Sequence, residues 1–178
     1  MAISLVTTLS GLTSTSYVTL VEAKAYMDNR RGSEPWTLVD ANEKARALIG
    51  AAQRLDRENF IGDKVVWNQA LEWPRRNYGY RYAVEIGTGA GVVDLRGCWW
   101  PASAVPQPVK DAQCELALQY VIDLGAASVG AGSGRITHFS QDGLSITYDV
   151  SSVSTSDLPR ESMKLLGAFR LGKRLVRS

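Results

Sequence analysis

The chain has 178 residues, 45% of them hydrophobic and 21% charged, and a formal net charge of +2. This is the composition of one globular domain, which excludes a disordered chain, and the small net charge does not favour a strongly basic nucleic-acid binder. The sequence has no run of about 18 apolar residues, so we expect no membrane span. Two cysteines and one histidine are too few for a disulfide framework or a cysteine-only zinc site, so we expect no metal and no cofactor.

The first part of the chain predicts an extended arm followed by a helix. Residues 1–15 are rich in Ser, Thr, Leu and Val and carry no charge, so we expect an arm that is ordered against a neighbouring molecule. Thr19 and Glu22 have the spacing of a capping box, in which each side chain binds the other residue's backbone N–H. The helix that they open is predicted to run to about Arg31, with Gly32 as its stop.

Two further helices are predicted from apolar spacing. Asp40 opens the second one with another capping-box pattern, and apolar residues then recur at intervals of three and four up to Asn59. Pro108 lies in the first turn of the third, whose apolar stripe ends near Leu124, before Gly125. These segments indicate a mainly α fold, a small helical bundle of three core helices plus a C-terminal helix or tail, with one or two β-hairpin insertions.

Two hairpins are predicted from alternating apolar and polar residues. The first alternation covers 82–86 and 93–95, on either side of a glycine-rich tip. The second covers 135–150 and surrounds Asp142 and Gly143, a dipeptide typical of tight turns.

The elements divide the chain into four predicted segments. The helical core carries a hairpin or loop insertion over about 76–105. The segments are an N-terminal arm (1–15), the helical core (16–125), a glycine-rich linker with a hairpin (126–155) and a basic C-terminal docking tail (156–178).

No arrangement of catalytic residues is found in the sequence, and we expect the protein not to be an enzyme. Residues 167–173 match the start of a phosphate-binding loop, but Arg174 stands where Ser or Thr should hold magnesium. His138 lies in a predicted strand, where a surface or partner-facing histidine is favoured over a general base. Cys98 and Cys114 are expected to be small, partly buried core residues.

Aromatic and basic residues alternate between Trp73 and Tyr82. This composition suits a protein interface, which we favour, but also a surface that stacks single-stranded nucleic acid, or a plain surface loop. Within it, Trp73, Pro74 and Arg75 are expected to fix the turn after the second helix, because a Trp-Pro pair packs and stiffens a chain reversal.

The C-terminal segment is basic. From Arg160 onward the chain has six basic residues and one acidic residue, whereas residues 1–159 have 14 basic and 17 acidic residues. Apolar residues alternate with these charges, so we favour docking on an acidic partner over a solvated end or a grip on DNA phosphates. The candidate docking residues are Arg160, Lys164, Phe169, Arg170, Lys173, Arg174 and Arg177.

Four blocks of the sequence carry a resemblance to a known family. They are residues 16–23, 45–57, 68–75 (Asn-Gln-Ala-Leu-Glu-Trp-Pro-Arg) and 108–117. In this order they resemble the head–tail connector (adaptor, or head-completion) family of long-tailed bacteriophages, whose members are often labelled DnaT-like single-stranded-DNA-binding proteins. The resemblance covers roughly residues 16 to 125 and weakens over 76–105 and over the C-terminal segment.

The resemblance implies a structural protein of the virion, assembled in the host bacterial cytoplasm. It would form an oligomeric ring in the phage neck, between the portal vertex of the head and the tail, with twelve copies implied by the portal's symmetry. The implied partners are other copies of the chain, the portal protein, and another neck or tail-terminator protein, while duplex DNA passes through the lumen without sequence-specific binding. In relatives the C-terminal segment reaches the portal, so the docking residues are expected to bind there. A single-stranded-DNA-binding module is the alternative.

Overall fold

The computed structural model of the chain describes residues 3–77, 90–128, 138–141, 144–147 and 158–171. The helices in these residues are α1 (Leu20–Asp28), α2 (Glu34–Leu38), α3 (Ala41–Leu55), α4 (Gln107–Ser128) and α5 (Arg160–Leu166). The strands are β1 (Asp63–Lys64), β2 (Arg75–Arg76), β3 (Gly91–Val93), β4 (Trp99–Pro101), β5 (His138–Gln141) and β6 (Leu144–Thr147). The predicted fold class, mainly α with small β-hairpin insertions, is thereby confirmed.

The starts of α1 and α3 follow from their capping residues. Thr19 Oγ1 accepts a hydrogen bond from Glu22 N at 3.1 Å and Glu22 Oε2 accepts one from Thr19 N at 2.8 Å, so the predicted capping box is present. At α3, Asp40 Oδ1 accepts from Glu43 N at 2.8 Å. Both helices end a few residues before their predicted ends. Capping residues therefore locate these helix starts more closely than apolar spacing locates the ends.

The central helix of the bundle is α4. Every residue from Ala112 to Leu118 is buried, since α1, α2, α3 and α5 all pack against this helix. Pro108 lies in its first turn, as predicted, but the helix continues through Gly125 to Ser128. The predicted end near Leu124 is therefore wrong. A glycine inside a helix lowers its stability by only about 1 kcal/mol relative to alanine, which a well-packed helix tolerates.

The N-terminal arm is ordered against its own chain in the part that the structure describes. Thr15 N donates to Val6 O at 2.8 Å, Ala70 N donates to Gly11 O at 3.0 Å, and Ile3 N donates to the Asn42 side chain at 3.1 Å. The expectation that the arm needs a neighbouring molecule for its order is corrected. Its own backbone groups and the start of α3 already supply the hydrogen-bond partners.

The strands form three antiparallel pairs, β1 with β2, β3 with β4, and β5 with β6. The predicted hairpin around Asp142 and Gly143 is confirmed by β5 and β6, in which His138 lies opposite Thr147, although the two turn residues are outside the described residues. Residues 82–86, the first half of the other predicted hairpin, are also outside the described residues. The second half of that hairpin was predicted over 93–95, but the observed strand β3 ends at Val93 and pairs with β4.

The C-terminal segment contributes to the core. Leu158 and Leu166 are buried, and after α5 the chain runs antiparallel to residues 59–61, with Ile61 N donating to Phe169 O at 2.9 Å. Leu171 N then donates to Asn59 O at 2.8 Å. The described part of the predicted docking tail is therefore built into the folded body.

Candidate functional site

The Trp-Pro turn lies inside the protein. Trp73 is 2% exposed and joined to Pro74 by a cis peptide bond. Its ring meets Phe60 and Phe169 edge-on, with ring centroids 5.5 Å and 5.3 Å away. Edge-to-face pairs of this kind stabilise a core beyond the apolar area that they bury. Neither face of the Trp73 indole ring is therefore accessible to a ligand.

The guanidinium of Arg75 is also used internally. Arg75 is buried, and its Nε donates to Ile61 O at 2.8 Å while Nη2 donates to Phe60 O at 3.3 Å and to Gly62 O. Its Nη1 is paired with Glu72, which also binds Lys64 Nζ at 3.1 Å. With a further hydrogen bond from Nη1 to Glu72 O at 3.4 Å, the planar fork of arginine closes the loop onto four carbonyls and a carboxylate. These contacts position the turn and use every N–H of the Arg75 side chain, so none is left to bind a phosphate of nucleic acid.

Tyr17, just before α1, connects the end of α3 with the Trp-Pro turn. Its hydroxyl donates to Asp56 Oδ1 and accepts from Glu72 N at 3.1 Å and from Trp73 N at 3.4 Å. Burial raises the pKa of Asp56 to about 6, with a smaller rise from Glu72, while the Tyr17 hydrogen bond lowers it. Burial and the Asp56 carboxylate raise the pKa of Tyr17 well above its usual value.

We expect Asp56 to make the protein more stable at mildly acidic pH than at neutral pH. Its raised pKa means that the folded state binds a proton between about 3.9, where the unfolded carboxyl ionises, and about 6. This contribution is complete below the unfolded pKa and is lost as the pH rises through the folded pKa. In Asp56→Asn the side chain still accepts from Tyr17 but cannot ionise, so the variant should exceed the wild type by roughly 1–3 kcal/mol near pH 7.5.

Urea denaturation at several pH values between about 4 and 7.5 measures this difference. The comparison with Asp56→Asn isolates Asp56 from Glu22 and Asp94, whose pKa values are lowered and which act in the opposite direction. If Asp56→Asn were less stable than the wild type by the same amount at every pH, ionisation of Asp56 would not affect stability, and its carboxyl group would act only as a hydrogen-bond acceptor.

The basic residues among the predicted docking residues fall into three groups. Arg160 and Lys164 are exposed on α5, with Lys164 Nζ 2.8 Å from Glu161. Arg170 is paired with Glu58 at 2.6 Å, against the end of α3. Lys173, Arg174 and Arg177 are outside the described residues, as is the end of the phosphate-loop match at residues 172–173.

Phe169 needs a correction. It is 1% exposed, and its ring packs against Trp73 and, at 5.5 Å, against Trp100. A side chain enclosed in this way cannot touch a partner, so Phe169 is a core residue and not a docking residue. The sequence could not show this, because an aromatic residue among charges is equally consistent with a docking anchor.

The surface beside α5 contains a cleft lined by both acidic and basic side chains. This cleft of about 380 Å³ is lined by Arg96, Glu115, Glu161 and Lys164. Both carboxylates of the cleft form ion pairs, Glu115 with Arg30 and Glu161 with Lys164. Arg96 and Arg160 form no ion pair within 4.0 Å among the described residues, although Arg96 interacts electrostatically with Asp94 and Arg160 with Glu161.

The remaining candidates show no reactive site. Cys114 is buried on α4, and burial raises its pKa to about 12, but Cys98 is exposed, so the expectation of partial burial is wrong for Cys98. His138 lies in β5. In the described part of the chain no three His, Cys, Asp or Glu side chains converge on a possible metal position. None of the helices described is long and apolar enough to cross a membrane.

Sequence reasoning did not single out Trp67, which is 88% exposed. It lies in an apolar stretch, Val65-Val66-Trp67, that resembles a core segment in composition. Its exposure depends on how the loop folds, which apolar content does not reveal.

The comparisons with known proteins give one family. A family model described as "Putative DnaT-like ssDNA binding protein" matches residues 1–176. No curated protein and no solved structure matches the chain.

Proposed function

We propose a structural, assembling function for this chain, which belongs to the DnaT-like family whose model matches nearly its whole length. In this proposal it is one subunit of an oligomeric ring in the neck of a long-tailed phage, between the portal and the tail. The ring continues the channel through which duplex DNA passes, and the chain performs no catalysis. The proposal rests on a sequence resemblance and on the way the structure uses the residues that carry it.

The observation that carries the proposal is the burial of the Trp-Pro turn. Nucleic-acid binders of the single-strand class need exposed rings for stacking, next to cations for the phosphates. Trp73 and Arg75 have the right composition, but the ring and the guanidinium are both enclosed by the protein's own groups. Their contacts make the turn part of the folded core, so this turn offers no stacking site for single-stranded nucleic acid.

The four resembling blocks meet in one place, which also supports the proposal. Tyr17 from the first block bonds to Asp56, at the end of the second, and to the backbone of Trp73 in the third. Tyr17 N donates to Gln113 in the fourth block at 3.0 Å. The resemblance therefore covers a connected structural centre and not a set of scattered surface positions.

Single-stranded DNA binding is the second candidate, and the family description favours it. Part of the aromatic and basic stretch, residues 78–82, is outside the described residues, so its rings are not accounted for by the buried turn. The two candidates differ in a simple property, because a ring that only surrounds duplex DNA has no need to bind free strands.

A fluorescence-anisotropy titration with a labelled oligothymidine separates them. We expect a Kd no tighter than about 1 μM at physiological salt for the ring subunit, since non-specific phosphate contacts alone give a Kd of about 1–100 μM. A Kd tighter than about 1 μM for the oligothymidine, which non-specific contacts do not reach, would favour the DNA-binding candidate. A matched titration with duplex DNA controls for general charge attraction.

Reversing two exposed charges on α5 tests the docking surface. Arg160→Glu with Lys164→Glu should abolish co-purification with the portal protein, because like charges would face the acidic surface that we propose there. The control, Lys24→Glu with Arg46→Glu, makes the same charge change at two exposed positions on α1 and α3 and should leave co-purification intact. Retention of the α5 variant on the portal would remove Arg160 and Lys164 from the docking surface.

A further inference from the structure

We propose that a cavity between the N-terminal arm, the Trp-Pro turn and the start of α4 binds a small oxyanion of the size of phosphate. The cavity has a volume of about 260 Å³. A water molecule occupies about 30 Å³ in the liquid, so the cavity has room for a molecule of several non-hydrogen atoms. The inference does not depend on the proposed ring, and either can fail without the other.

The cavity has a buried floor and an exposed rim. Its floor includes Ser14, Ser16 and Trp73, all of which are buried. Its rim includes Thr8 and Ser103, which are exposed, so a ligand can enter from solvent. Because these residues line one cavity, the polar groups of its wall share a single space.

The wall of the cavity carries one positive charge and no carboxylate. Six of the fifteen lining residues are Ser or Thr, and Lys110 is the one charged residue among those that line the cavity in the described part of the chain. Lys110 Nζ has three N–H donors and donates to Glu22 Oε1 at 2.7 Å, while Glu22 lies outside the wall. No second acceptor for Lys110 is found among the described residues, so two of its donors remain for an anion, with which charge-assisted hydrogen bonds are strong.

A buried donor without an acceptor belongs to the same wall. Trp73 Nε1 is buried, and no described residue accepts its hydrogen. The nitrogen lies on the edge of the indole ring, so an acceptor can reach it although both faces of the ring are covered. A buried N–H without an acceptor costs free energy, and an ion or water is the usual explanation in a native protein. An oxyanion in the cavity would supply the missing acceptor.

The start of α4 also favours an anion. Residues 103–105 of the wall lead into this helix, and Lys110 lies in its first turn. The N-terminus of a helix carries a partial positive charge that stabilises anions close to the first turn. The helix, the Lys110 ammonium and the Trp73 indole N–H therefore all favour a negatively charged ligand that accepts hydrogen bonds.

Hydrogen bonds hold the wall in place before a ligand binds. Gly11 N donates to Thr8 O and Ala70 N donates to Gly11 O, each at 3.0 Å. These bonds close the turn of the arm and join it to the loop that leads into the Trp-Pro turn. A site that is already ordered loses little conformational entropy on binding, which favours association.

An NMR titration of the isotopically labelled full chain with inorganic phosphate, in a phosphate-free buffer, tests the inference. The chain has five tryptophans, each of which gives one indole N–H signal. We expect the Trp73 signal, identified by its loss in Trp73→Phe, to move with a Kd of about 1 mM or tighter. Lys110→Met should weaken binding about tenfold or more, because a hydrogen bond from a charged group is lost.

The matched control is Lys24→Met, which removes the same charge from an exposed ion pair on α1. It should leave the Kd for phosphate unchanged within about twofold, since exposed ion pairs contribute little. If Trp73→Phe does not fold, isothermal titration calorimetry of the wild type, Lys110→Met and Lys24→Met still decides, because calorimetry needs no signal assignment.

Any of three results would overturn the inference. In the first, the Trp73 signal does not move at about 10 mM phosphate, and water alone fills the cavity. In the second, Lys24→Met weakens binding as much as Lys110→Met, which would show a general attraction by charge. In the third, duplex DNA moves the Trp73 signal and inorganic phosphate does not.

Discussion

Replacing Phe169 with alanine is expected to lower the free energy of unfolding by about 3–5 kcal/mol, the usual loss for a buried phenylalanine. Phe169 is 1% exposed, and its ring is enclosed between Trp73 and Trp100. Removing it leaves a cavity at the point where the C-terminal segment joins residues 59–61. Guanidinium denaturation followed by circular dichroism measures the loss.

Leu171→Ala is the control for this substitution. Leu171 lies two residues farther along and is 53% exposed, so its truncation should change the free energy of unfolding by no more than about 0.5 kcal/mol. Equal effects of the two substitutions would contradict the assignment of Phe169 to the core. For the same reason a chain cut before Arg160 should not fold, since it loses Leu166 and Phe169, and docking is better tested by point substitutions.

Replacing Gln113 with leucine is expected to lower the free energy of unfolding by about 3 kcal/mol, because each buried polar group left without a partner costs about 1–3 kcal/mol. Gln113 is completely buried on α4. Its Oε1 accepts from Tyr17 N at 3.0 Å, and its Nε2 donates to Ser16 Oγ and Leu48 O, each at 2.8 Å. One amide thus joins the N-terminal segment, α3 and α4.

The same helix supplies a matched control. Gln119→Leu makes the same chemical change where the amide only donates to Asp123 at the surface, at 2.8 Å. Its effect should stay within about 0.5 kcal/mol. Thermal or urea denaturation of both variants should therefore separate them clearly, and a tolerated Gln113→Leu would show that Gln113 does not hold the three segments together.

Local signals predicted the elements that depend on neighbouring residues. The Thr19 and Glu22 pair fixed the start of α1, the spacing of apolar residues identified α3 and α4, and the Asp142–Gly143 dipeptide located the hairpin of β5 and β6. Each of these signals acts within a few residues of the element that it specifies, so it can be read without knowing the fold. The five-residue helix α2 is too short to show a period and was missed.

Long-range contacts explain what the sequence did not predict. Phe169 and Trp67 are both large and apolar, yet one is enclosed and the other exposed, because Phe169 meets Trp73 and the Trp67 loop is bonded to Gly11. Cys98 is exposed for a related reason, since it lies in the turn that closes on the Asp94 carboxylate. Which apolar residue finds a partner is decided by the tertiary fold, and composition alone does not determine it.

Quantitative mass spectrometry of purified virus particles would show whether this chain is part of the virion. We expect the chain to be a component of finished particles, in a copy number equal to that of the portal protein, and to be lost from particles in the α5 charge-reversal variant. If the chain were absent from finished particles and recovered instead on single-stranded DNA in infected cells, the proposed ring would be wrong.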